Sequence, residues 1–234
     1  MWLIADYESV TLFSLKHSAA TATGGKTLLI PTPYAVKMAL LDAACRTLGL
    51  TLAKQLWPQI RDLKVAVLPA QQAIVTNLFQ KVLRPRRNEI PLDEPDAGPF
   101  QKTIGYREYA HLSGSLGIAV GWQEASPKEW LVNLLLNVSY LGKRGGFMQL
   151  QSMPSLSEEL PEGFVVTTSA QEEFTLNGTL QVLDDCSPKL TFEQVDIYSD
   201  KNMRTGTDRI LRHIVIPYRP ISSSRGYTLY QRVE

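Results

Sequence analysis

Apolar and polar positions change period several times along the 234-residue chain. Residues 2–16, WLIADYESVTLFSLK, alternate loosely and are rich in aromatic and β-branched side chains, which predicts a strand. HSAATATGGKT follows, small and polar, a loop with glycine freedom. The pattern then turns helical in PTPYAVKMALLDAACRTLG. Thr32 suits the N-cap, Pro33 the first helical position and Gly49 the left-handed position past the end. Val36, Ala39, Leu40 and Ala43 form the stripe expected to be buried, with Lys37, Asp42 and Arg46 toward water. No element is assigned to residues 50–62. LKVAVLPA (63–70) reads as a strand, and QQAIVTNLFQKVL either extends it or forms a separate ribbon. RPRRNEIPLDEPDAGPF (84–100) is rich in proline and has no hydrophobic period, so it is an excursion.

TIGYREYAHLSGSLGIAVGW (103–122) returns as one long strand or as two, bent near Gly114. Ser126 and Glu129 have the spacing of a capping box, with Pro127 at the first helical position. WLVNLLLNVSYL continues that helix to Leu141, where Gly142 ends it, and GGFMQL is the next strand. Read in order, residues 1–150 give β-α-β-(excursion)-β-α-β, the pattern of an α+β, ferredoxin-like fold. The predicted division is a ferredoxin-like unit over 1–155 and a β-rich region over 156–234. In the latter, GFVVTTS, EFTLNGTLQVL, LTFEQVDIYS, LRHIVIPY and GYTLYQRV all read as strands, and Asn177-Gly178 as a hairpin signal.

Composition narrows the function mainly by exclusion. The net charge is +1, so a nucleic-acid partner has to be argued from where charge is placed. Cys45 and Cys186 are too few and too far apart for a disulfide framework or a zinc site. No apolar run approaches the roughly 20 residues of a membrane helix, and the acidic start MWLIADYES is unlike a signal peptide, so a cytoplasmic protein is expected. His17, His111 and His213 lie in different elements without metal-ligand spacing, and no GxSxG or HExxH is present. The expectation is therefore neither metal nor cofactor.

Positive charge gathers in loops. Lys81, Arg84, Arg86 and Arg87 stand at the base of the excursion, and Lys143-Arg144 lies beside Gly145-Gly146. The two glycines either let a phosphate backbone approach main-chain N–H groups or simply permit a tight turn. A further spread of basic residues runs from Lys201 to Arg232, while Glu158, Glu159, Glu162, Glu172, Glu173, Asp184 and Asp185 form an acidic stretch expected to face solvent or a neighbour. Tyr106, Arg107 and Tyr109 alternate in GYREYAHL, positioned to stack on bases or to sit half-buried in a strand. Lys16 and His17, in a loop shared with Lys26, are either ordinary polar residues or an acid–base pair for metal-free RNA cleavage.

Together these stretches resemble the Cas-five family of CRISPR-associated RAMP proteins. IPTPYAVKMALLDAACRTLG is similar to that family's proline-led first helix. IGYREYAHLSGSLGIAVGW is similar to its tyrosine–arginine strand, and YLGKRGGFMQL to its glycine–basic turn before the fourth strand. The resemblance covers about the first 150 residues. It implies an RRM-like core with a thumb near 81–103 inserted between the second and third strands. It also implies a non-catalytic subunit of a type I Cascade-like complex, capping the 5′ handle of the crRNA. The implied partners are the backbone and large subunits, and target DNA through the complex. Lys81, Arg84, Arg86, Arg87, Tyr106, Arg107, Lys143, Arg144, Gly145, Gly146, Lys16, His17 and Lys26 are the expected RNA-binding set. The alternatives are a metal-independent endoribonuclease that matures the guide, and an interaction module unrelated to RNA.

Overall fold

The computed structural model describes residues 1–16, 25–88, 90–91, 93–94, 97–123, 128–143, 145–171 and 177–233. In chain order the elements are β1 (Trp2–Ser9), α1 (Pro33–Thr47), α2 (Leu50–Arg61), β2 (Lys64–Leu68), β3 (Gln72–Pro85), β4 (Phe100–Ser113), β5 (Leu116–Gly121), α3 (Glu129–Leu136), β6 (Met148–Leu150), β7 (Ser155–Ser157), β8 (Val165–Val166), β9 (Thr179–Cys186), α4 (Phe192–Val195), β10 (Arg209–Ile216), β11 (Tyr218–Ser223) and β12 (Tyr227–Arg232).

Alternation in β1 places Leu3, Ala5, Tyr7 and Ser9 on the buried face. That face meets the helices: the Tyr7 hydroxyl donates to the Leu135 carbonyl of α3 at 2.7 Å. The main sheet runs β6-β1-β5-β2-β8, with β7 also pairing β1. Its central pairs, β1–β5, β5–β2 and β1–β6, are all antiparallel. The sheet is thus joined by two helical crossovers, α1–α2 between β1 and β2 and α3 between β5 and β6.

Between β2 and β5 the chain leaves this sheet as a separate ribbon. β3 and β4 pair in unbroken register from Gln72↔Ser113 to Pro85↔Phe100, and a sharp turn at Gly114 (φ 92°) separates β4 from β5. The ribbon forms one side of a second sheet, β11-β12-β3-β4, with β4 at its edge. The last strands of the chain therefore brace the ribbon, and β7 and β8 extend the main sheet. The hairpin β9–β10 packs against α1.

Several expectations need correction. The first strand stops at Ser9, after which only isolated bridges (Phe13↔Ala110, Lys16↔Thr27) continue the pairing. Residues 50–61, left without an element, form α2, with Ala53, Trp57 and Ile60 on its buried side. Gly49 (φ 82°) ends α1 and caps α2 at once, which is why two helices follow so closely. The second predicted helix ends at Leu136, since Asn137 leaves helical geometry, and Gly142 (φ 74°) belongs to the turn beyond it. LTFEQVDIYS holds the short helix α4 in place of a strand, because Thr191 and Gln194 make a reciprocal capping box. The proposed Ser126 cap, and the strand before Asn177-Gly178, lie outside the described residues.

Charge is also placed differently from the expectation. Lys37 is 2% exposed, and its ammonium meets Asp185 Oδ1 at 2.6 Å. Asp184 and Asp185 are each 3% exposed, not a solvated acidic face. Asp184 pairs with Arg209, whose guanidinium lies over the Tyr34 ring at 4.1 Å. α1 is joined to the β9–β10 hairpin through buried ions, which a surface reading of these residues misses.

Candidate nucleic-acid interface

The glycine turn is built by backbone bonds. Leu141 N–H donates to Gly146 O and Gly146 N–H to Lys143 O, both at 2.9 Å. A Cβ on Gly146 would lie 2.6 Å from Leu141 O, and one on Gly142 would overlap Leu15. These two positions demand glycine for the turn itself, and the Gly146 N–H is already used within it. Gly145 differs: a Cβ there would meet nothing within 4 Å, and its carbonyl accepts from Thr11 Oγ1 at 2.5 Å. The two readings of the glycine pair thus divide between its members, closure at Gly146 and open surface at Gly145. Gly146→Ala is expected to cost about 1–3 kcal/mol in urea denaturation, while Gly145→Ala leaves the midpoint unchanged. Equal midpoints for the two variants would contradict this division.

Beside the turn lies a basin of about 200 Å³ whose lining includes Arg107, Tyr109, Lys143, Gly145 and Gly146. The pieces come from distant places: Arg107 and Tyr109 from β4 at the root of the ribbon, Lys143 and the glycines from the loop before β6. Lys16 joins them electrostatically. Desolvation, then repulsion from Arg107 and Lys143, holds its ammonium below its ordinary pKa. Like charges brought together in this way favour an anionic ligand.

The remaining expected contact residues spread along the ribbon. Residues paired across β3 and β4 share a face, so Arg84 lies on the same face as Arg107 and Tyr109. From Arg107 to the Gln101↔Arg84 pair is six steps along β4, roughly 20 Å. Arg86, whose N–H donates to Pro99 O at 2.9 Å, and exposed Arg87 stand beyond it at the ribbon's end. Lys81 and Tyr106 lie on the opposite face. Tyr106 and Lys26 line a second groove, about 590 Å³, between the ribbon root and β9. His17 and Arg144 fall outside the described residues. The structure thus gathers Arg107, Lys143, Gly145 and Gly146 around one basin with Lys16 close to them, sets Lys26 and Tyr106 on the second groove, and turns Lys81 to the other face of the ribbon.

One feature escaped the sequence reading. The face carrying Tyr106 also presents Phe79, Leu83, Phe100 and Ile104, all more than half exposed, with Lys81 and Lys102 among them. Phe79 and Tyr106 meet edge to face, with centroids 5.9 Å apart. This apolar row is read from strand alternation only once the register of the two strands is known. Among the described residues no group of histidine, cysteine and acidic side chains could hold a metal, and no helix is long and apolar enough to cross a membrane.

No family model matches the chain. A CRISPR-associated protein Cas5 from Archaeoglobus fulgidus is 22% identical over 214 residues, covering 89% of this chain and 90% of the relative. The crystal structure of a CRISPR protein from Archaeoglobus fulgidus covers 100% of this chain and 92% of its own, at 12% identity and a TM-score of 0.47. Over 89% of its length the chain is therefore similar to a Cas5 protein, which bears out the resemblance carried by its proline-led helix, tyrosine–arginine strand and glycine turn.

Proposed function

We propose that the chain is a non-catalytic subunit of a type I Cascade-like effector that grips the 5′ handle of the crRNA and caps that end of the complex. The observation that carries the reading is the convergence of Lys16, Arg107 and Lys143 with Tyr109 and the open Gly145 at the root of the ribbon. Two cations in a small concave basin, with a third close enough to be repelled by both, suit phosphates, and a tyrosine in the same wall suits an unstacked base. We read the order β6-β1-β5-β2 with its crossover helices as ferredoxin-like, and the β3–β4 ribbon as the thumb. Arg84 continues the positive face outward, so the RNA follows the ribbon toward Arg86 and Arg87. The apolar row on the other face suits a neighbouring protein, a backbone or large subunit, through which target DNA is engaged.

The test is co-expression with the operon neighbours and a CRISPR array, followed by sequencing of the RNA that co-purifies. Short RNAs of uniform length beginning with a repeat-derived 5′ handle are expected. Heterogeneous RNA, or none from a folded sample, overturns the reading. A metal-independent endoribonuclease is the second reading, favoured by a lysine whose pKa is lowered by desolvation and by Arg107 and Lys143, near a basin that also holds Tyr109, since such an amine gives up its proton more readily. It predicts handle-specific cuts of precursor RNA in EDTA that are lost in Lys16→Ala. The capping reading predicts none.

A further inference from the structure

At the other end of β1 from the glycine turn lies a cavity of about 580 Å³, between α1, the end of α2, the start of β2 and the β9–β10 hairpin. Two of its cations are neutralised by the protein. Lys37 is held by Asp185 Oδ1 at 2.6 Å, and Arg61 is clasped by Asp62 through two bonds of 2.8 Å. The other two are not. Lys64 is exposed at the start of β2 and its side chain has no partner among the described residues. Among the described residues Arg212 reaches only Asp185 Oδ2, at 3.7 Å, and its buried Nε has no hydrogen bond. A planar guanidinium fork, half-buried in a cavity and left without acceptors, is costly unless something else accepts from it.

We propose that this cavity binds a small phosphorylated molecule of nucleotide size, its phosphate held by the Arg212 fork and Lys64. Each step follows from the walls. The two ion pairs cancel, leaving two positive charges that match a phosphomonoester dianion better than a single carboxylate. Asp185 aims the fork: its Oδ1 is occupied by Lys37 and by the Cys186 N–H at 2.7 Å, so Oδ2 is the oxygen turned to Arg212. Thr168 Oγ1 accepts the Val65 N–H at 3.1 Å, which leaves its own hydrogen to donate inward. Trp2 supplies an apolar wall for a base or sugar, and the volume is in the range of small-ligand pockets. The Cys186 thiol in its wall is not poised as a nucleophile, because burial pushes it up to about 12.

The site is independent of the RNA basin. β1 separates them by roughly 20 Å, from Trp2 in this cavity to Ser9 beside Met148. Calorimetric titration of the whole protein with AMP, inorganic phosphate and adenosine tests it. AMP is expected to bind saturably, phosphate more weakly and adenosine not measurably. Lys64→Ala, at an exposed position, is expected to weaken AMP at least tenfold with an unchanged melting midpoint. Arg212→Lys keeps the charge, loses the fork and should weaken AMP comparably. No saturable AMP binding at millimolar concentration, adenosine binding as well as AMP, or full affinity in Lys64→Ala each overturns the proposal. A 5′-phosphorylated RNA that binds here where AMP does not overturns it too, by assigning the cavity to an RNA end.

Discussion

Lys37→Met is expected to destabilise the protein by about 3 kcal/mol or more, measured as a fall in the urea midpoint at constant slope. The side chains of Lys37 and Asp185 are 3% and 4% exposed, so removing the ammonium strands a carboxylate that water cannot reach. Breaking a buried pair from one side costs about 3–5 kcal/mol in general. Here the lower half of that range is expected, because the Cys186 N–H and, at 3.7 Å, Arg212 still face the carboxylate. The double change Lys37→Met with Asp185→Leu removes both charges and should recover much of the loss. Since Lys37 is on α1 and Asp185 on β9, amide exchange in β9 and β10 should accelerate more than in β1 and β5. A cost below about 1 kcal/mol for the single variant would mean that the pair is not sequestered as described.

That pair also shows what the sequence could and could not say. Helical spacing picked out Val36, Ala39, Leu40 and Ala43, all buried, and placed the cap at Thr32, whose hydroxyl accepts from Ala35 N–H at 3.1 Å. It put Lys37 in water because a periodic stripe describes a helix with one covered side. α1 is covered by α2, α3 and β9, and a helix enclosed from several directions has no dry stripe to read. Asp184 and Asp185 were misplaced for the complementary reason: a charge is buried only where its partner is, and these partners lie 25 and 148 residues away. α2 was legible in principle, with Ala53, Trp57 and Ile60 at helical spacing, but Pro58 and the exposed Leu50 and Leu52 blur the pattern. Lys143 and Arg107 stood out as loop and strand cations beside glycine and tyrosine. Their adjacency depends on Phe13 bridging to Ala110 and on Val10 pairing with Phe147, contacts no local pattern contains.

Changing Lys16, Arg107 and Lys143 together to alanine is expected to weaken binding of 5′-handle RNA by about 10²-fold or more near physiological salt. If each cation neutralises one phosphate, the slope of log affinity against log salt should fall by roughly 2, at about 0.7 per charge on a single strand. The fold should survive, because desolvation, and then repulsion from Arg107 and Lys143, already hold the Lys16 ammonium below its ordinary pKa, so removing these charges does not weaken the free protein. The sign follows from linkage. A lysine whose folded pKa lies below its ordinary value of 10.5 binds fewer protons folded than unfolded as pH rises between the two, so stability increases over that interval. Lys16→Gln should abolish this alkaline gain and leave the free protein as stable or more so at neutral pH. Bound phosphate reverses the balance by favouring the charged amine, so RNA affinity should fall as pH climbs through the same interval, and fall less in Lys16→Gln. Unchanged affinity and salt slope in the triple variant, with a normal melting midpoint, would remove the basin from the RNA path and leave the outer arginines Arg84, Arg86 and Arg87 as the place to look.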